Sequence, residues 1–351
     1  MLKVKFKNSK ELLKVLNTAE NILKKNKNET ILQYIKLEKV NDKLCIIARN
    51  PYMRLGYFVE DTISIEGDSA LYEYRTLISL LNVLDDEIEI NDSKIQNKKC
   101  KYSLPIRSSE NYPEDVFPDI VNRKEIDTKS FVDGLNSVFC ATPKNEYENV
   151  LSGVYINGNQ IVACDSNRIH IRNLDVDLGK VILSKELVNE LLKLPFQEKI
   201  YMSIFGGNVI FEDESLYIAS NFIVGEYPKY EKLLPKDISV KITFNKKDLE
   251  NALNLIMPMI DTYRNCCSIE IRQDDAKIYI ENDNKKAETL IPITTYKELN
   301  NPFNIMFNIN YLVDMLKVNK EDITMIKHGG NYTGYSFISE NSNQYIMPMQ
   351  K

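Results

Sequence analysis

The sequence predicts an α+β fold in which one unit, two helices packed on antiparallel strands, is written three times over. Two observations predict it. A helical pattern recurs at Lys10–Asn17, Lys129–Asn136 and Lys247–Asn254, with its Leu-Asn pair at 16–17, 135–136 and 253–254, spacings of 119 and 118 residues. A second helical pattern recurs in the same order at Tyr74–Leu84, Ser184–Leu194 and Asn310–Lys317. A repeat close to one third of a 351-residue chain sets the architecture before any single element does.

The elements follow in order within each unit. Each first helix has a polar residue where a cap is needed: Ser9, Asp127 or Thr128, and Asn245. Alternating strand-like segments come next, at Leu32–Val40 and Lys43–Arg49, at Val154–Asn157 and Gln160–Cys164, and at Ser268–Arg272 and Lys277–Glu281. Polar turns such as Asn157-Gly158-Asn159 and Gln273-Asp274-Asp275 join them as hairpins. The second helix and further strands complete each unit. Boundaries fall after the Pro-rich stretch Asn111–Pro118 and after Leu234-Pro235-Lys236-Asp237, dividing the chain into residues 1–119, 120–243 and 244–351.

Composition narrows the function classes. With 43% hydrophobic and 27% charged residues the chain has material for several cores. It has no run of eighteen apolar residues, and its N-terminus alternates charged and apolar residues without a secretory h-region, so a cytoplasmic protein without a membrane partner is expected. The six cysteines, Cys45, Cys100, Cys140, Cys164, Cys266 and Cys267, form no CxxC pair and no zinc spacing toward histidine. Buried free thiols are expected, with Cys266 and Cys267 on opposite faces of a strand, and no metal or cofactor. A protein that coats DNA without sequence preference is normally basic, but an acidic chain can still meet DNA through lysines gathered on one surface, or encircle it, so the net charge of −5 neither supports nor excludes DNA as a partner.

Four segments carry a resemblance to a known family. They are Val150-Leu-Ser-Gly-Val154, Val162-Ala-Cys-Asp-Ser-Asn-Arg-Ile169, Gly225-Glu-Tyr-Pro-Lys-Tyr-Glu-Lys-Leu-Leu-Pro235 and the ending Tyr345-Ile-Met-Pro-Met349. In this order the chain resembles the bacterial DNA polymerase sliding clamp, the beta subunit, whose motifs read Leu-x-Gly, Ala-Thr-Asp-Gly-His-Arg-Leu, Gly-x-Phe-Pro-Asp-Tyr-x-x-Val-Leu-Pro and Tyr-Val-Val-Met-Pro-Met. The departures are Asp165-Ser166-Asn167-Arg168 for Asp-Gly-His-Arg, Gln350-Lys351 for a basic ending, and Glu148 near an expected arginine.

The resemblance implies a non-catalytic processivity factor. It implies a head-to-tail homodimer that closes into a ring of six clamp-type domains, helices inside and sheets outside. Its implied partners are duplex DNA, encircled without sequence preference, the DNA polymerase catalytic subunit, the clamp loader, and other replication and repair proteins that carry short clamp-binding peptides. The peptide site maps onto Leu151, Cys164, Ser166, Asn167, Arg168, Ile169, Pro235, Val240, Tyr345, Met347, Pro348 and Met349. Methionines give adaptable apolar surface there, and Asn167 and Arg168 are expected as polar anchors at its rim. DNA contact maps onto Lys24, Lys25 and Lys27 and onto Lys144, beside lysines distributed along the helices. The subunit joint maps onto Tyr102 and Leu104 and onto Met259 and Ile260.

Other readings stay open at this point. A clamp-like adaptor that binds partners without encircling DNA has the same motifs. A nucleotide-handling hydrolase would have to use Asp165 and His170, one of only two histidines. Phe205-Gly-Gly-Asn208 and His328-Gly-Gly-Asn331 are turn chemistry, and neither is a phosphate loop.

Overall fold

Six helices form among the described residues, each on one of the recurring patterns: α1 Ser9–Lys24, α2 Tyr74–Leu81, α3 Thr128–Phe139, α4 Lys185–Leu191, α5 Lys246–Ile256 and α6 Ile309–Val318. The computed structural model describes all residues except 1, 25–30, 61, 85–86, 115–121, 145–148, 236, 261–262, 283–284, 300, 330–333, 340–341 and 351. Helix α1 buries Leu12, Val15, Leu16, Ala19, Ile22 and Leu23, the i, i+3, i+4 stripe of an amphipathic helix. Its lysines at 10 and 14 face solvent.

Two of the expected caps form and one is replaced. Asp127 Oδ1 accepts from Ser130 N at 2.7 Å, and Asn245 Oδ1 accepts from Asp248 N at 3.2 Å. Ser9 instead lies inside α1 and donates to Leu84 O at 2.5 Å. The neighbouring Asn8 serves the helix end, accepting from Lys10 N at 2.8 Å.

The chain forms two compact units, residues 1–130 with 189–222, and residues 131–188 with 223–351. This division cuts through α3, α4 and the expected middle segment 120–243. The first unit holds two antiparallel sheets. One has the strand order Thr62–Gly67, Leu2–Phe6, Ile88–Asn91, Lys94–Gln96, Lys101–Ser103. The other runs Lys124–Asp127, Lys199–Phe205, Asn208–Glu212, Leu216–Asn221, Met53–Val59, Lys43–Arg49, Tyr34–Val40, Ser69–Glu73.

The second unit is built on one continuous antiparallel sheet. Its order is Lys180–Leu183, Val154–Asn157, Gln160–Cys164, Arg168–Asn173, Ser342–Ile346, Tyr335–Ser339, Ile323–His328, Ile238–Phe244, Lys285–Thr295, Asp275–Asn282, Cys266–Ile271, Phe303–Asn308. Helices α5 and α6 pack together over a core that includes Phe244, Leu249, Leu253, Phe307, Leu312 and Met315. Burial of each such side chain is worth roughly 1.5–3 kcal/mol.

Alternation places Cys267 in that core and leaves Cys266 half-buried. Cys45 and Cys164 are buried as expected, but Cys100 is exposed in the turn before Lys101–Ser103, which corrects the expectation of uniformly buried thiols. No helix among the described residues is long and apolar enough to cross a membrane.

Candidate partner-binding site

Four separated stretches of the sequence meet in the second unit in one apolar cluster. Cys164 and Ile169 come from a hairpin, Tyr227 and Tyr230 from the segment after Gly225, and Leu151, Leu234 and Tyr345 pack against them half-buried. Strand register explains the meeting. Cys164 pairs with Ile169 across the hairpin, and Ile169 pairs with Tyr345 on the next strand.

Leu151 sits in a short 3-10 turn, Val150–Ser152, held by a reciprocal cap. Asn149 Oδ1 accepts from Leu151 N and Ser152 N at 2.8 and 3.2 Å, and Ser152 Oγ accepts from Asn149 N at 3.2 Å. Gly153 follows because a Cβ there would lie 2.6 Å from both Ile182 Cγ2 and the Leu183 carbonyl. Gly225 has φ +148°, and a Cβ would come within 2.6 Å of Val150. Both glycines let the Tyr227 segment close on the Leu151 turn.

The floor of the cluster is aromatic. Tyr227 stacks on Tyr155 with ring centroids 4.6 Å apart and meets Tyr230 edge-on at 6.5 Å. The Tyr227 hydroxyl lies 3.2 Å from Cys164 Sγ. Burial raises the Cys164 thiol and the Tyr227 hydroxyl above their ordinary ranges, so both stay neutral. Tyr230 donates to Gln160 Oε1 at 2.8 Å and accepts from Asn157 Nδ2 at 2.9 Å. Apolar side chains at Val224, Leu233, Ile238 and Met347 stand exposed on the flanking segments, the kind of surface that marks an interaction site.

The turn Asp165–Arg168 receives the chain's C-terminal segment. Asp165 Oδ1 accepts from Asn167 N at 2.8 Å and Arg168 N at 3.0 Å. Met347 N then donates to the Asn167 carbonyl at 2.8 Å, and Met349 N to the Met306 carbonyl at 2.7 Å. Ser166 and Asn167 are exposed, Met347 is exposed, and Pro348 and Met349 are half-buried.

One expectation is corrected. Arg168 is not a rim anchor. It is 3% exposed, and its guanidinium engages Asp165 at 3.1 Å, Asp314 at 2.9 Å, the Cys140 carbonyl and the Tyr311 ring. Burial with two carboxylates makes it the strut of the turn. Val240 packs against the core beneath α5 and α6 and is not one of the residues of the cluster around Cys164. Pro235 is half-buried beside Leu234.

Sequence reasoning missed Asp314 and Tyr311, which lie three apart on one face of α6 and meet Arg168 there. It also missed Tyr227 and Tyr230, although the quoted Gly225–Pro235 segment contains both.

The hydrolase pairing does not form a site. Asp165 is spent on the turn and on Arg168. His170 is completely buried, with Nδ1 at 3.2 Å from the Ser137 carbonyl, and burial lowers it to about 4.

For DNA contact, Lys24 ends α1, exposed and 2.9 Å from Glu20, while Lys25 and Lys27 lie outside the described residues. Lys144 is exposed, in a turn whose Pro143 carbonyl accepts from Lys185 Nζ at 3.1 Å. Lys10, Lys14 and Lys193 line one cleft of about 470 Å³ in the first unit.

Of the joint residues, Tyr102 and Leu104 are half-buried at the outer strand of the smaller sheet, alternating with exposed Lys101 and Ser103. Met259 is 39% exposed, and Ile260 packs half-buried on the core.

No protein-family model matches the sequence. The chain is 23% identical over 343 residues to the beta sliding clamp of Streptococcus pneumoniae serotype 4, covering 91% of this chain and 90% of that one. It is 21% identical over 325 residues to the beta sliding clamp of Helicobacter pylori J99, covering 87% and 86%. Among solved structures, a sliding clamp from Bartonella birtlesii bound to griselimycin superposes with a TM-score of 0.88 at 17% identity over the whole of both chains. The Helicobacter pylori beta clamp bound to a DNA ligase peptide superposes with a TM-score of 0.85 at 19% identity over 99% of this chain and all of that one. These structures share the fold of this chain.

Proposed function

We propose that this chain, a divergent member of the beta sliding clamp family, encircles duplex DNA as a head-to-tail dimer and tethers the replicative polymerase and other partners to it. It carries out no chemistry of its own. It acts in the cytoplasm, on DNA threaded through the ring, and needs no cofactor.

The observation that carries the reading is the gathering of Leu151, Cys164, Ile169, Leu234 and Tyr345 into one cluster, with Met347 fastened to Asn167 beside it. These residues come from all four segments that resemble the family. An apolar cluster with an adaptable methionine edge suits short peptides from several proteins. The Helicobacter pylori clamp of the same fold was solved with a DNA ligase peptide.

The ring requires that each subunit offer two strand edges. Among the described residues Lys101–Ser103 is the last strand of its sheet, pairing with Lys94–Gln96. Residues 286–292 pair with one strand, Asp275–Asn282, among the described residues. Pairing of one edge with the other in a second copy, twice, closes a finite assembly. The lysines of α1 and of the Lys193 cleft then supply diffuse attraction to phosphates, suited to sliding.

A fluorescent Gln-Leu-Ser-Leu-Phe peptide tests the site. Saturable micromolar binding to the intact chain, lost on truncation after Ile346, is the expected result. Absence of binding to the intact chain overturns the tethering role. A mass of 40.7 kDa in solution, rather than twice that, overturns the ring.

A further inference from the structure

Four buried polar atoms gather on one face of the second unit's sheet. They are His170 Nε2 and Arg172 Nε on the strand Arg168–Asn173, and Ser342 Oγ and Gln344 Nε2 on the strand Ser342–Ile346. None has a hydrogen-bond partner among the described residues. Strand register puts them together: His170 stands opposite Gln344, and Arg172 opposite Ser342. Alternation places all four side chains on one face, with the paired Ile169 and Tyr345 of the apolar cluster on the other.

Helix α3 roofs this patch. Its Ser137 carbonyl lies 3.2 Å from His170 Nδ1, and a Cβ on Gly134 would lie 3.4 Å from Arg172 Cγ. From the side of α6, Asn319 Nδ2 donates to Gln344 Oε1 at 3.1 Å and to the Met315 carbonyl at 2.8 Å, while Asn319 Oδ1 accepts from Ser339 Oγ. His170 and Gln344 are completely buried, and Ser342 is almost so. Folded chains rarely leave such atoms unpaired, and enclosed water is their usual partner where protein groups do not reach them.

The hydrogen-bond inventory selects the ligand. A carbonyl only accepts, so His170 Nδ1 carries the ring proton. Cys140 Sγ, at 3.6 Å, lies beside the same nitrogen. Burial keeps the ring neutral, which leaves Nε2 a bare acceptor. The Asn319 contacts hold the Gln344 amide with its oxygen toward α6, so its Nε2 is a donor facing away. Arg172 Nε is a donor as well. A ligand here must donate to His170 and accept from Gln344. An anion cannot donate, and a metal ion would face N–H groups. Water does both.

We infer that the seam between these two strands holds an ordered internal water that donates to His170 Nε2 and accepts from Gln344 Nε2. Ser342 Oγ and Arg172 Nε lie next along the strands, toward exposed Asn173, and give the water its route to solvent. The water also gives this polar face a use. A slip of one residue would carry Gln344 into the apolar cluster and Tyr345 beneath α3, so the hydrated pair favours the register in which Tyr345 meets Ile169.

The test is a crystal structure of the intact chain at about 2 Å resolution, in which a density peak within roughly 2.7–3.2 Å of both His170 Nε2 and Gln344 Nε2 is expected. Gln344 Nε2 bonded directly to His170 Nε2, with no peak between them, overturns the inference. So does an anomalous peak at the site in crystals soaked in bromide, which identifies an anion. In solution, oxygen-17 relaxation dispersion counts long-lived internal waters. Gln344→Met keeps the length of the side chain and removes the donor, and it is expected to lower that count. An unchanged count overturns the site. Should Gln344→Met fail to fold, the wild-type density decides alone. None of these readouts involves a peptide or a second copy of the chain.

Discussion

Arg168 Nη1 lies 2.9 Å from Asp314 Oδ2, an ion pair that ties the strand Arg168–Asn173 to α6. The same guanidinium holds Asp165 and the Cys140 carbonyl and lies 4.3 Å above the Tyr311 ring. One buried side chain therefore fixes the turn on which Met347 docks. A planar five-donor fork is needed to reach these groups at once.

Removal of that fork leaves Asp165 and Asp314 facing each other without their cation. Arg168→Ala is expected to cost about 3–5 kcal/mol of stability in urea unfolding, the range for breaking a buried pair from one side. Arg168→Lys is expected to recover little, because a single ammonium cannot serve the Cys140 carbonyl and both carboxylates. A loss below about 1 kcal/mol for Arg168→Ala removes the strut role.

His170 gives the fold a pH dependence. Burial holds the imidazole at about 4, against an unfolded value near 6.5. The unfolded chain therefore binds the extra proton first as pH falls. The stability owed to neutral His170 is complete above about pH 6.5 and is lost progressively down to about pH 4. Unfolding at several pH values is expected to show the wild type losing roughly 3 kcal/mol more over this window than His170→Gln. Parallel curves for the two chains refute the assignment.

Much of this was legible before any coordinates, and for a physical reason. The six helices announce themselves because apolar residues at helical spacing repeat at equal offsets, and Asn245 and Asp127 mark their starts. The cluster residues Leu151, Cys164, Ile169 and Tyr345 were legible only through their resemblance to a family, since nothing local says that Ile169 will pair with Tyr345 some 176 residues away. Arg168 was misread because polar residues in a turn are usually exposed, and its partners Asp314 and Tyr311 belong to a different repeat. His328 was seen only as the start of a Gly-Gly turn. Its partner Ser336 is fixed by register, which a single strand does not encode. The division into units at 130 and 188 was illegible because sheets join strands from neighbouring repeats, as Leu216–Asn221 joins Met53–Val59.

Packing at Gly153 can be tested by adding one carbon. The backbone there is extended, with φ −95°, so alanine meets no torsional barrier. Its Cβ would instead press on Ile182, the Leu183 carbonyl and Ile223 at 2.6 to 2.8 Å. Gly153→Ala is expected to cost about 1–3 kcal/mol and to weaken peptide binding by displacing Leu151. An alanine variant with wild-type Tm shows that the turn can yield.

Thiol chemistry separates the six cysteines. Cys100 is exposed, whereas burial pushes Cys140 up to about 11 and Cys267 up to about 12. The thiolate is the reacting form. Alkylation with iodoacetamide at pH 8, followed by mass spectrometry, is expected to modify Cys100 first and Cys267 only after denaturation. Early modification of Cys267 would mean that the core beneath α5 opens readily.

The subunit joint is the last point open to a direct test. Leu290 lies within residues 286–292, which pair on one side with Asp275–Asn282, and it is 60% exposed. An exposed apolar side chain on a strand edge invites a second chain. Tyr102 lies on the outer strand Lys101–Ser103, the other proposed half of the joint. A charge introduced at either position would have to be desolvated when the edges meet. Leu290→Lys and Tyr102→Lys are each expected to weaken the dimer at least tenfold, about 1.4 kcal/mol per decade, seen as a shift toward 40.7 kDa in sedimentation equilibrium. Lys277→Ala, on the neighbouring strand and paired with Glu288 at 2.8 Å, is expected to leave the dimer intact. If Leu290→Lys keeps the wild-type dimer while Tyr102→Lys loses it, the first edge belongs to the joint and its partner lies elsewhere, with the turn at Met259 and Ile260 next in line.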